Sequence, residues 1–371
     1  MAKGKGGFIG QDGLNAPDSP TGVSGAKGDA QAAISFTAPT DVGGSAITGY
    51  RAQSNDGIGA SGSSSPITVT GLTNDTAYTF RVYAQNAFGY SAPSDASASV
   101  TPAQPLQIEY TTAGSYSWVA PTGVTSVSVV CVGGGGTGSA NQSGASGGGG
   151  GGGLGYKNNY SVTAGNSYTV KVGAGAPATT GHQANGNGGG DSYFVNSSTV
   201  KGAGGERGAG GNGGNGGSYT GDGGGNGGNG GGYSGNGSGG GGGAGGYSGN
   251  GGLGGSQNGF TPFPTAGSGG AGGGGGASGG GGGGVGLLGE GTSGSAGQTN
   301  GSSANTGGSG GTDGDNGDTN IGEAGGTYGG GSGGGYSAGN VEKAGGGAVR
   351  ILYMKSGTPS RSYPSTNTGD L

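Results

Sequence analysis

The sequence predicts an all-β chain in two parts: a small antiparallel β-sandwich, then a glycine-rich β-sandwich carrying long polyglycine-II (polyproline-II-like) insertions. Three observations predict it. Glycine fills 115 of 371 positions while proline supplies only 13, so the content approaches collagen without collagen's proline chemistry. Short runs that alternate apolar and polar residues flank the glycine blocks, as strands with one buried face do. Within the blocks glycine recurs at every third position, the period of an extended threefold helix. Hydrophobic residues make up 27 % and charged residues 8 %. That is too little apolar surface for a conventional core throughout, and too little charge for a typical disordered tail. Something other than side-chain burial must order the glycine blocks.

Residues 1–16 carry Gly4, Gly7, Gly10 and Gly13 in one three-residue register. Four triplets cannot stand alone. They read either as a flexible leader or as a docking arm that orders on an assembly partner, with Phe8, Ile9 and Leu14 as apolar anchors.

Residues 17–102 change texture to short alternating runs punctuated by Gly, Pro, Asn and Asp. Ala32, Ile34 and Phe36 share one face of a strand, and Tyr78, Phe80, Val82 and Ala84 share one face of another. This segment resembles a fibronectin type III domain, through SPTGVSG at its start, ISFTAP, and GLTNDTAYTFRVYAQNAFGYSAPS. The resemblance implies that Leu72 and Tyr78 form a tyrosine corner, and that Phe36 stands where the family usually carries Trp. No Arg-Gly-Asp sequence is present, so the expected role is a spacer.

After a linker at 103–107, the reading assigns 108–354 to the glycine-rich domain and 355–371 to a tail. Tyr116 and Trp118 alternate with serines. Val127, Val129 and Cys131 share a strand face, as do Tyr168, Val170 and Val172, and Val349, Ile351 and Tyr353 close the pattern. The order of strands, glycine blocks and closing strand resembles the glycine-rich domain of phage tail-fibre and bacterial surface proteins. Unbroken registers run from Gly202 to Gly217, from Gly240 to Gly255 and from Gly267 to Gly282. The motif at Tyr219 recurs at Tyr233 and Tyr247, each time with an Asp-Gly or Asn-Gly turn pair. If successive legs alternate in direction, Tyr219 and Tyr247 share one end and Tyr233 the other. Such a bundle resembles the tip adhesins of T-even-like phage tail fibres and the glycine-rich antifreeze protein of snow fleas; a flexible linker is the competing reading. The segment from Tyr363 to Thr368 resembles the endings of marine cyanophage virion proteins.

Catalytic chemistry finds little footing. His182 is the only histidine and Cys131 the only cysteine, so no nucleophile-base pair can be built and no internal disulfide forms. No cofactor is expected and no glycine block ends as a phosphate loop does. Asp313, Asp315 and Asp318 concentrate oxygen ligands suited to calcium, although Gly317 and Asp318 depart from EF-hand order, and a solvated acidic turn competes. The net charge is −5, with no Lys or Arg between Arg207 and Lys343, which argues against nucleic acid. No stretch reaches membrane-spanning length and no signal peptide is evident.

The expectation is therefore a non-enzymatic protein on the surface of a phage virion, made in the host cytoplasm. Its partners would be virion proteins, through the amino-terminal arm, and a host cell-surface protein or glycan; homo-oligomerisation is left open. Receptor contacts are assigned to apolar residues that interrupt the glycine pattern: Tyr219, Tyr247, Phe260, Phe263, Val285, Leu287 and Leu288. The competing reading packs them inward to cap the bundle. A passive capsid or tail decoration protein, a bacterial surface protein and an ice-binding protein remain as alternatives.

Overall fold

The computed structural model describes residues 15–103, 105–141, 144–181, 184–232, 237–256, 263–276, 278–298, 306–316, 321–335, 340–354 and 362–364. They are all β or irregular, and they divide into two units, Met1–Pro105 and Leu106–Leu371.

In the first unit, β1 (Thr21–Gly28), β2 (Gln31–Thr37) and β5 (Ile67–Thr70) form one antiparallel sheet. The other contains β4 (Gly59–Gly62), β3 (Gly49–Ser54), β6 (Phe80–Asn86) and β7 (Gly89–Tyr90), in that order. Alternation places Ala32, Ile34, Ala52, Val69, Phe80, Val82 and Ala84 in one buried core. The tyrosine corner is present: the amide of Thr73 donates to the Tyr78 hydroxyl at 3.0 Å, over a buried Leu72. Phe36 is half-buried and packs on Tyr50 at 4.8 Å between ring centroids. Beyond β7 the chain follows β6 with three residues for every two of the strand. Ser91, Ser94 and Ser97 donate their amides to Ala84, Val82 and Phe80, and their hydroxyls accept the return amides of those same residues. The serine oxygen stands in for a backbone carbonyl that the mismatched register cannot supply.

The second unit opens with β8 (Pro105–Tyr110), which begins inside the segment read as a linker. It is a sandwich of two five-stranded sheets. One has the order β18 (Gly223–Gly225), β12 (Leu154–Ser161), β10 (Ser126–Val132), β22 (Ala348–Met354), β8; the other runs β17 (Tyr219–Thr220), β16 (Val200–Gly202), β15 (Ser192–Phe194), β13 (Ser167–Val172), β9 (Gly114–Val119). Trp118, Val127, Val129, Cys131, Val170, Phe194 and Ile351 fill the space between them. A second tyrosine corner closes the β12–β13 turn, where Thr163 donates to the Tyr168 hydroxyl at 2.7 Å. The two corners match residue for residue: Asp75 in the first and Gly165 in the second both take positive φ, 62° and 81°.

Glycine legs leave this sandwich after β10, β13, β16 and β18 and return into β12, β15, β17 and β22. The leg at residues 146–153 is held mainly by backbone, with side-chain bonds only at Ser146 and Gly147. Its amides donate in rotation to three neighbours: Gly147, Gly150 and Gly153 to Gly210, Glu206 and Ala203; Gly148 and Gly151 to Gly231 and Gly228; Gly149 and Gly152 to Ser332 and Gly329. Its carbonyls accept from three more: Gly133, Gly136 and Ser139; Gly214 and Gly217; Gly239, Gly242 and Gly245. Six segments therefore surround it, and each is met at every third residue. The leg at 239–246 is surrounded in the same way by segments around 147–152, 228–231, 249–255, 272–275, 280–283 and 331–334. A Cβ on Gly150 would overlap the Asn215 carbonyl, and one on Gly242 the Gly228 carbonyl. Glycine is required here because the backbones touch.

A leg residue shares about one net hydrogen bond of roughly 0.5–1.5 kcal/mol against about 1–2 kcal/mol of backbone entropy. No leg holds alone, so the bundle depends on what closes its ends. At the far end the short pieces β11 (Ala145–Ser146) and β19 (Gly237–Ser238) pair in parallel, and β14 (Thr179–Thr180), β21 (Asn340–Val341) and β20 (Ile321–Gly322) form a small sheet. Bridges from Ala140 to Ala184 and to Gly335 tie the same end.

Candidate functional site

The bundle has two unlike ends. At the sandwich end, β10 and β22 are buried on both faces. Val130, Val132, Leu154, Tyr156, Ala348 and Leu352 turn away from the inner core and pack on Ala244, Tyr247, Val285 and Leu287 from the glycine legs. Arg350 lies on this same outer face, fully buried. One of its nitrogens donates to the Leu287 carbonyl at 3.0 Å, another to Gln107 Oε1, and Nε lies 3.3 Å from Glu109 Oε1. Tyr247 is fully buried and its hydroxyl donates to the Gly286 carbonyl at 3.1 Å. Burial pushes its phenol well above the ordinary range, with Tyr363 adding to the effect, so it remains a neutral donor.

This corrects the receptor assignment for Tyr247, Val285 and Leu287, which are core residues. The physical reason is that the outer face of β10 and β22 needs apolar cover, and glycine legs offer none except where Tyr, Val or Leu interrupts them. Leu288, next in line, is half-buried beside this cap. Tyr219 lies at the sandwich end too, on β17, and is 38 % exposed. Tyr219 and Tyr247 thus share an end. Phe263 is 50 % exposed at the far end, next to Thr265, whose hydroxyl accepts the Leu253 amide at 2.8 Å. Phe260, Tyr233, His182, Asp318 and the arm residues Phe8, Ile9 and Leu14 lie outside the described residues.

The two calcium candidates within the described residues have different partners. Asp313 spends one carboxylate oxygen on the Gly307 amide at 2.7 Å, whereas Asp315 groups with Glu323 and Glu342, whose oxygens lie within 4.8 Å of one another. Glu323 and Glu342 are not legible as ligands in the sequence, because the pairing of β20 with β21 sets them side by side and Asp315 joins them through its amide bond to the Ala324 carbonyl at 3.1 Å. Cys131 is buried in the inner core, and burial drives its thiol far above the range in which a thiolate forms. Among the described residues no helix is long and apolar enough to cross a membrane. The first unit also exposes an aromatic pair, Phe88 at 47 % and Tyr90 at 48 %, at the β6–β7 turn. The sequence signal was NAFGY, two aromatics beside a turn glycine.

The first unit and the glycine-rich unit together define a β-sandwich module joined to a backbone-packed bundle. Residues 18–100 match the family model described as Fibronectin type III domain. Similar solved structures include domains A168–A170 of titin, at 30 % identity, a TM-score of 0.23 and coverage of 24 % of this chain and 32 % of that one. Another is the twitchin kinase region of C. elegans, at 27 % identity, a TM-score of 0.22 and coverage of 24 % and 17 %. A third is the FN1–FN3 domains of chicken CNTN1, at 19 % identity, a TM-score of 0.22 and coverage of 31 % and 48 %. The chain spans less than half the length of each of these. No curated protein matches it.

Proposed function

We propose that this chain is a non-enzymatic structural and adhesive protein of a phage virion, a tail-fibre or host-attachment component that presents loops from the far end of a polyglycine-II bundle. The observation that carries this reading is the six-neighbour leg at 146–153, with partners recurring every third residue. Legs packed in this way run between the sandwich and a far end, so the reversals at that far end are available for presentation. The fibronectin-type module acts as a spacer. Residues 1–16 dock onto virion proteins, and the far end meets a host cell-surface protein or glycan without entering the membrane or touching nucleic acid.

Two measurements test it. Antibody labelling of purified particles, imaged by electron microscopy, should mark the ends of tail fibres; label confined to the capsid overturns the attachment role. Phe263→Ser in the full chain should lower adsorption of labelled protein to host cells about thirtyfold, the loss of one aromatic anchor worth roughly 2 kcal/mol. Its melting temperature should not move, because the side chain is half exposed. Unchanged adsorption removes Phe263 from the contact.

A further inference from the structure

At the sandwich end one residue stands apart from its chain neighbours. Tyr363 is 3 % exposed, while Ser362 and Pro364 on either side of it are exposed. Its ring lies 5.4 Å from that of Tyr247, nearly parallel at 18°, and 6.0 Å from that of Tyr156. Its backbone is read by a single side chain: Asn158 Oδ1 accepts the Tyr363 amide at 2.8 Å, and Asn158 Nδ2 donates to the Tyr363 carbonyl at 2.5 Å. Those are the two bonds that a neighbouring strand gives to one residue of an extended segment.

The seat is held by β12 and the glycine legs. Leu154, Tyr156 and Asn158 lie at alternate positions of β12 and face outward, and continued alternation would turn Tyr160 the same way. The register of β12 against β10 shifts between Val127 and Val129, and Asn159 there takes a positive φ of 50°. This bulge sends Tyr160 to the inner core, where it meets Phe194 at 5.8 Å, and leaves Asn158 on the outer face. Asp222 fixes Asn158 from behind, accepting its amide at 2.8 Å and Lys157 Nζ at 2.7 Å. Tyr247 is held by Gly286.

We propose that Tyr156, Asn158 and Tyr247 form a peptide-binding site for an extended tyrosine-bearing segment, and that the chain's own tail at Tyr363 is its exchangeable ligand. One buried anchor between exposed neighbours, with the peptide backbone gripped by an amide, is how a separable segment is recognised. A tail supplied in trans by a second copy makes the same contacts.

The test uses the full chain carrying Tyr363→Ala, which empties the seat, and a labelled peptide of residues 361–371 followed by fluorescence anisotropy. The expected result is saturable binding to this variant, and binding at least about tenfold weaker to the wild-type chain, whose tethered tail competes at high effective concentration. Adding Asn158→Ala to the variant, or using a peptide with Tyr363→Ala, should weaken binding by about tenfold or more. Absence of saturable binding to the folded variant, or equal binding by the wild type, overturns the proposal. If Tyr363→Ala fails to fold, a chain with a specific protease site in place of residues 355–360 is cut after folding. Displacement of the cut tail by excess peptide, with the melting temperature retained, supports exchange; loss of the fold on cutting, or a tail that cannot be displaced, overturns it.

Discussion

The first sandwich and the glycine bundle solve the same problem with opposite materials. In the sandwich, side chains at every second residue meet in a core, as Phe80, Val82 and Ala84 do on β6. In the bundle, backbones at every third residue meet each other and the contacting glycines leave no room for a Cβ. Substitution therefore has inverted consequences: removing atoms harms the sandwich, and adding them harms the bundle.

The largest effect should follow from Gly150→Val. Its side chain would enter the space of the Asn215 carbonyl in a leg with neighbours on six sides. The second unit is expected to lose its cooperative thermal transition while the first keeps its own, which calorimetry would resolve as one surviving peak. Two normal peaks would mean that the legs can part to admit a Cβ.

Arg350→Ala should come next, destabilising the second unit by about 3 kcal/mol in urea titration. It strips Leu287, Gln107 and Glu109 of their shared partner and opens a gap under the cap. A cost below about 1 kcal/mol would show that the apolar cap holds without this ion.

Alkaline titration probes the same cap. The phenols of Tyr156 and Tyr247 are raised above their ordinary value of 10.0, first by burial. The unfolded chain therefore releases these protons before the folded one. The contribution of these two groups to stability should be flat below pH 10 and fall as pH rises from there toward the folded-state values. Tyr247→Phe should flatten part of that slope; an unchanged slope would assign it to other groups.

The smallest and sharpest comparison uses adjacent glycines. A Cβ at Gly345 would overlap the Gly326 carbonyl, whereas one at Gly346 meets nothing and its φ is not in the left-handed region. Gly345→Ala should destabilise, and Gly346→Ala should be neutral or stabilising by about 0.4–1 kcal/mol, through the unfolded chain. Equal melting temperatures for the two variants would contradict backbone contact at Gly345.

Period and chemistry made much of this fold readable. Alternation in YTFRVYA and SVSVVCV gave the inner faces of both sandwiches, and the Leu72–Tyr78 spacing gave the first corner. The second corner carries the same spacing, in VTAGNSY, and was open to the same reading. The outer face of β10 was less visible, although the run Val129, Val130, Cys131, Val132 is apolar without alternation, as a strand buried on both faces should be. Tyr247, Val285 and Leu287 looked like exposed interruptions because glycine neighbours give no inward or outward cue. What covers what was settled by contacts far apart in sequence, and no local window holds them.

The same distance along the chain constrains how the molecule is made. The neighbours of the leg at 146–153 lie at 133–139, 203–210, 214–217, 228–231, 239–245 and 329–332. During synthesis the first unit can fold as soon as it clears the ribosome, but this leg must wait until its last neighbour emerges, about 180 residues later. At roughly 5–20 residues per second that is a delay on the order of 10–40 seconds. For that interval a long stretch of nearly side-chain-free polypeptide stands fully hydrated and uncommitted, and completion of the bundle is in effect gated by translation of its final legs.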